Sequence, residues 1–364
     1  MKAYIFPLVA AGAIMMPTAS MAQTTQKLTA NKANEYGLIY SLPQTVLDIT
    51  IEAERTVKRP GEFYKYAKKY LKDENAITEP SEEWTLKSIT VVPRGVADPD
   101  EKYLMQFKSG STPYLILNDA DVPVALNTEQ ILQSENIKLP EPVEAAPTPL
   151  ETPAAKQAVS EEMLQSQSSA KRAELAAAQI YALRQSRTDL ITGQADQMPP
   201  DGKAMQIVMD NIAAQEAALT AMFLGTEQKS TDVVTYTYTP DEARTNDIIA
   251  RLSQIKGIVD PDDLSGEPIY ITVDVTDRGK LPVNEKGEAK KFPKGGVAYK
   301  IPGTAAVRID FNGDRIYDKS IDMAQLGIVF GLDPGLFTDK KSPAYLLLDP
   351  VTGAIRELGS SAGN

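Results

Sequence analysis

The chain has 364 residues, 42% hydrophobic and 24% charged, with 38 Lys and Arg against 49 Asp and Glu for a formal charge of −11. At roughly 100 to 200 residues per domain this is a globular chain of two or three domains, and its acidity speaks against nucleic acid, because phosphate backbones are repelled unless cations cluster. It contains no His and no Cys, which excludes Ser-His-Asp and Cys-His triads, zinc sites built on imidazole or thiolate, and haem held through either residue.

The N-terminus reads as an export signal over residues 1–22. Lys2 supplies the positive start, Tyr4 to Met16 is an apolar run too short to span a bilayer, and Ser20-Met21-Ala22 offers small residues for signal peptidase. Cleavage between Ala22 and Gln23 is expected, followed by a flexible stretch over 23–35. No later segment is read as a transmembrane helix. Without a lipidation cysteine, the product is expected to be periplasmic, on the outer surface or secreted.

Residues 36–137 read as a small α/β unit. Leu47, Ile49 and Ile51 alternate with Asp48, Thr50 and Glu52, the period of a half-buried strand. Arg59-Pro60-Gly61 opens a helix with Phe63, Ala67, Tyr70 and Leu71 inward, and Lys65, Lys68, Lys69 and Lys72 on a solvated outer face. One hairpin is expected to join Leu86–Val92 to Tyr103–Phe107 through the turn-rich Pro93 to Asp100. A second bends at Asn118-Asp119-Ala120-Asp121. The single Trp84 is read as a core anchor rather than a sugar platform.

Residues 138–158 carry Pro140, Pro142, Pro147, Pro149 and Pro153, the composition of an extended, semi-rigid linker. Residues 159–225 then read as an antiparallel helical hairpin. One helix runs from Ser160 to Ile191 and stops at Gly193; the other runs from Lys203 to Leu224 after an N-cap at Asp201 and stops at Gly225. Met205, Val208, Met209, Ile212, Leu219, Met222 and Phe223 form its apolar stripe. Arg184, Arg187 and Glu216 are placed to pair across the hairpin.

Residues 230–358 read as a mainly antiparallel, sandwich-like β unit, with strands at 233–238, 269–275, 298–302, 306–311, 315–320 and 344–348, a last turn at 349–353, and a disordered tail over 359–364. Asp310-Phe311-Asn312-Gly313-Asp314 opens like a calcium loop, yet Arg315 and Ile321 stand where such a loop needs Gly and Glu. The Asn312-Gly313 pair is read as a hairpin turn instead. The fold class is α+β.

Tyr40-Ser41-Leu42-Pro43, Thr45, Arg59-Pro60-Gly61, Tyr66-Ala67 and Tyr70-Leu71 resemble the opening of a family of uncharacterised exported proteins from anaerobic gut bacteria. Leu183-Arg184, Arg187, Gly193, Pro200-Asp201-Gly202, Glu216, Phe223 and Gly225 are similar to its helical segment. Gly266-Glu267-Pro268, Ala324-Gln325-Leu326-Gly327, Asp349-Pro350 and Thr352-Gly353 are similar to its C-terminal part. The resemblance implies export and a multi-part fold of unknown function, and it transfers no activity, cofactor or catalytic residue.

The sequence therefore assigns no catalytic, cofactor-binding or metal residue and no cofactor. The favoured reading is a noncatalytic envelope or secreted module that binds a protein or glycan of the cell envelope, or supports one. The alternatives are a carboxylate-dependent, glycoside-type hydrolase, which two acidic residues suffice to build, and the structural subunit of an oligomer joined through the hairpin.

Overall fold

The computed structural model describes residues 24–27, 38–106, 114–132, 137–200, 202–337 and 343–360. The expected signal peptide, its cleavage pair Ala22 and Gln23, the N-cap Asp201, Phe107 and the last four residues lie outside these ranges.

The first part of the chain forms β1 (Thr24–Lys27), β2 (Leu38–Arg59), a single helical turn α1 (Ala67–Tyr70), β3 (Ser81–Gln106), β4 (Leu115–Leu117) and β5 (Pro123–Leu126). The helical part comprises α2 (Pro153–Ala158), α3 (Glu161–Gln165), α4 (Ser169–Thr192) and α5 (Gly202–Leu224). Eight strands follow: β6 (Thr226–Tyr238), β7 (Arg244–Ser253), β8 (Gly257–Val259), β9 (Glu267–Asp277), β10 (Val297–Phe311), β11 (Asp314–Leu332), β12 (Ala344–Leu348) and β13 (Ile355–Ser360). They build three antiparallel sheets in the orders β1-β3-β2-β6, β11-β10-β9-β7-β8 and β13-β12-β5-β4, so the class is α+β.

The sheets interleave distant parts of the chain. β2 pairs with β3 on one side and, across about the whole helical part, with β6 on the other, from Leu47 opposite Tyr238 to Arg59 opposite Thr226. β12 pairs with β5. Residues 36–137 and 230–358, read in sequence as separate units, thus share two of the three sheets.

The main core lies where the first sheet faces the second. Leu47, Ile49 and Ile51 of β2 meet Ile269, Ile271 and Val273 of β9 and Val307 and Ile309 of β10, all fully buried. Each such side chain contributes about 1.5 to 3 kcal/mol. The sandwich is therefore closed by the long N-terminal strands and not within the C-terminal part alone. A second core joins Tyr40, Leu42 and Met105 to Ala298, Phe330 and Leu346. A third holds Phe63, Ala67, Ile180, Leu219 and Phe223 under the helices.

Five local expectations are corrected. The single helix expected from Ser160 to Ile191 is interrupted between Ser166 and Ser168, both extended, which separate α3 from α4. The hairpin expected between Leu86–Val92 and Tyr103–Phe107 does not form, because β3 is one continuous strand along β2. The turn chemistry at Asp98 to Glu101 makes a bulge instead, where pairing passes from Ser41 with Lys102 to Pro43 with Ala97. Pro93 is tolerated because β1 reaches only residues 103–106 of β3, which leaves Pro93 on an edge.

The helix after Gly61 amounts to a 3-10 turn at Tyr64–Tyr66 and one α turn, although Phe63 and Ala67 are buried and the four lysines exposed as expected. The proline-rich stretch is not wholly extended. Thr148 and Glu151 form a capping box over the 3-10 turn Pro149–Glu151, Pro153 sits in the first turn of α2, and Ala154, Ala155 and Ala158 are buried against the helical layer. The sequence strands at 298–302 and 306–311 are one strand, β10, with a bulge at Ile301 to Gly303.

Candidate functional site

α4 and α5 are the longest helices, about 36 and 34 Å at 1.5 Å per residue. Ser168 caps the start of α4 through the Lys171 N–H, and Gly193 ends it at φ 72°. Gly225 ends α5 at φ 88°. Both glycines occupy the left-handed region that the end of a helix requires. Glu216 accepts from Arg184 Nε at 2.6 Å and lies 3.0 Å from Arg187 Nη1, so the three residues expected to pair across the hairpin do so.

Burial falls off along this hairpin, although Leu190 near its far end is still covered. At its base, Ala173, Ala176, Ala177 and Ile180 of α4 and Ala218, Leu219, Ala221 and Phe223 of α5 are buried. At its far end Ile191 is 69% exposed, Ile207 53%, Met198 47% and Val208 36%. The apolar stripe read from sequence explains the α4-facing side only. A second stripe of α5, Ala204, Ile207, Asn211, Ala214, Ala218 and Ala221, repeats at three- and four-residue steps and so shares one face. Its Ala218 and Ala221 end is covered where α2 and the 3-10 turn before it pack on α5, while Ile207 and Asn211 lie open. By length and composition alone, α5 departs from the expectation that no later segment is apolar enough to span a bilayer, since its most apolar 18-residue stretch reaches a mean hydropathy of 1.2. Its C-terminal turns are nonetheless committed to the protein core through Leu219 and Phe223.

Several other residues of the family resemblance, Tyr40, Thr45, Ala324, Gln325, Asp349 and Thr352, converge elsewhere, at a junction of the three sheets. Thr45 Oγ1 donates to the Val351 carbonyl at 3.0 Å and accepts from the Ala324 N–H at 2.9 Å. The Gln325 side chain accepts from the Thr45 N–H and donates to the carbonyls of Thr45 and Pro240, each at 2.9 Å. Asp349 accepts from the backbone of Val351 and Thr352, both at 2.8 Å, and from Arg356 at 2.6 Å. Tyr40 accepts from the Ala298 N–H at 3.0 Å, and burial pushes its phenol well above the ordinary range. Every polar group here is answered by another protein group, which is the signature of a structural lock. Thr45 and Gln325 are 280 residues apart, so no local pattern could have joined them.

The chemistry required by a hydrolase is a carboxylate pair in a cleft, one of the two made less acidic. Two shallow depressions flank the end of the first sheet. One, of about 350 Å³, is lined by residues 146–149 with Glu227, Gln228 and Lys229; the other, of about 530 Å³, is lined by Val57 to Pro60 and Pro80 to Glu82. Each offers one carboxylate, and both are in ion pairs, Glu227 with Lys58 and Glu82 with Arg55. The shifts elsewhere run the wrong way for a catalytic acid. A hydrogen bond from Arg94 holds Asp48 below the usual carboxylate range, and one from Lys87 does the same for Glu52.

Asn312 and Gly313 form a two-residue hairpin turn at φ 50° and 87° between Phe311 and Asp314, as read from sequence. The flanking Asp310 and Asp318 are turned to Arg315. Among the described residues no three acidic side chains converge to hold a metal ion. Trp84 is half-buried rather than a core anchor, lying across Gly257, where a Cβ would come 3.0 Å from the ring, with the Arg55 guanidinium 5.9 Å from its centroid.

Comparison with curated proteins and with solved structures finds no match. A protein-family profile described as a domain of unknown function (DUF4831) matches residues 36–356, which takes in β2 through the start of β13, and the chain belongs to that family.

Proposed function

We propose that this is an exported, noncatalytic protein that works by holding a partner of the cell envelope, and that the α4–α5 hairpin is its contact arm. The observation that carries the reading is the burial pattern of that hairpin: the base is cemented into the third core, while the far end projects Ile191, Met198, Ile207 and Val208 into solvent. Scattered exposed apolar residues are ordinary; several at the end of one projecting element mark an interaction surface. Export rests on the three-part leader of residues 1–22.

The test is chemical crosslinking of the tagged, exported protein in intact cells, comparing the wild type with a Met198→Glu/Ile207→Glu variant. Both side chains are about half exposed, so the variant is expected to melt within a few degrees of the wild type while losing its crosslinked species. Identical crosslinks from both proteins would remove the arm from the reading. Turnover of a polysaccharide by the purified protein, lost on changing one carboxylate with its melting curve unaltered, would replace it with hydrolysis.

A further inference from the structure

The open end of the second α5 stripe carries a charge pattern that selects its occupant. Lys203 and Asp210 stand seven residues apart on the same flank of the stripe, both exposed. Among the described residues, Asp210 accepts only the neighbouring Gln206 amide, at 2.7 Å, and Lys203 has no ion-pair partner. Opposite charges one heptad apart on one flank are self-complementary when a second copy of the same helix runs antiparallel. Each Lys203 then faces the partner's Asp210, and the arrangement repeats by the two-fold axis. The axis falls midway between residues 203 and 210, which sets the protruding Ile207 beside the partner's Ile207, offset by about 1.5 Å along the helix, so that the two exposed side chains cover each other.

We propose that the tip of the arm is a homodimer contact in which two α5 helices cross antiparallel at Ile207, closed by two reciprocal Lys203–Asp210 ion pairs. This rests on the reading of the hairpin as a contact arm and names the partner it takes. Continuity supports it: the same stripe already packs a helix where α2 covers Ala218 and Ala221, and small residues there permit close approach of a second helix. A bilayer is the poorer occupant, because the half-buried Asp189 accompanies the exposed Asp210 near this end and an anionic lipid surface repels both.

The experiment is sedimentation equilibrium of the exported full-length protein and three variants, each checked for an unchanged melting temperature. The wild type is expected to dimerise in the micromolar range. Ile207→Glu and Asp210→Lys should each weaken the dimer at least tenfold, and Lys203→Asp/Asp210→Lys, which exchanges the charges, should restore it. A wild type that remains monomeric, a dimer indifferent to Ile207→Glu, or an exchanged pair that fails to recover association overturns the proposal. So does flotation of a monomeric wild type with phosphatidylglycerol vesicles. A monomer that still loses a foreign crosslinked species on substitution of Met198 and Ile207 overturns the self-pairing and leaves the arm standing; a dimer untouched by any tip variant removes both.

Discussion

Asp349 condenses much of the C-terminal architecture into one side chain. Burial alone would raise its carboxyl, but the Thr352 N–H, the Arg356 guanidinium and the Val351 N–H outweigh that cost and hold it below its ordinary value of 3.8. A carboxyl whose folded value is depressed stabilises the protein fully above its unfolded value, and the contribution disappears as pH falls through the folded value. Asp349 should therefore add stability above about pH 4 and lose it progressively below that. Urea melts of the wild type and Asp349→Asn at neutral pH and in strong acid read this directly: the gap between the two proteins is expected to be about 1 to 3 kcal/mol at neutral pH and to close in acid. An unchanged gap would show that the loop 349–353 is held by its backbone alone. The same side chain illustrates what sequence could reach. Asp349-Pro350 and Thr352-Gly353 announce a turn, and the left-handed Gly353 confirms it at φ 70°, but the Thr45 hydroxyl that bonds Val351 inside it comes from β2.

Among the elements, the hairpin was legible because its determinants are local. A 3.6-residue period, Gly193 and Gly225 as stops, and charges of opposite sign on facing sides are all written within seventy residues. β3 was misread for an equally physical reason: Pro93, Gly95 and Asp98 to Asp100 are turn residues anywhere except along a strand with one free edge. β7 escaped notice because its irregular pairing with β9 shifts the phase, leaving Ile249 and Ala250 both buried in succession, and Asn246 takes φ 54° in the same irregular stretch. The hairpin also permits a sharp energetic expectation. Glu216 is 13% exposed and serves two arginines that are 42% and 40% exposed, so solvent screens part of each attraction. Glu216→Ala should cost about 1 to 2 kcal/mol, since it leaves two cations facing each other without their shared anion. Glu216→Gln should retain part of that through a hydrogen bond to Arg184. Denaturation midpoints equal for all three proteins would reduce this triad to decoration on a helix pair held by Leu219 and Phe223.

At the scale of the molecule, the order of the chain and the order of the strands disagree, and that disagreement governs folding. β2 lies between β3, its near neighbour in sequence, and β6, which is reached only after the helical part has been traversed. The helices close that excursion at its foot: the Phe63 N–H donates to the Met222 carbonyl at 2.7 Å and Ile77 to that of Leu224 at 2.8 Å, while Gly61 lies so close to the Ala221 and Met222 carbonyls that a Cβ would approach within 2.6 Å. Removing residues 1–229 therefore does more than delete an N-terminal part. It strips β6 of β2 along the whole pairing from Leu47 to Arg59, bares the face of β9 and β10 that covers Leu47, Ile49 and Ile51, and leaves β12 without β5. A fragment of residues 230–364 would expose the apolar side of one sheet and a row of unpaired backbone groups on another, the two features that make a β-rich chain aggregate. Such a fragment is expected to give collapsed amide resonances and no cooperative melt, whereas the intact chain should unfold with coincident transitions by tryptophan fluorescence, which reports on Trp84 in β3, and by far-ultraviolet dichroism. A fragment that folded cooperatively by itself would mean that the C-terminal strands close their own sandwich, and the long N-terminal strands would then be an addition to the core and not half of it.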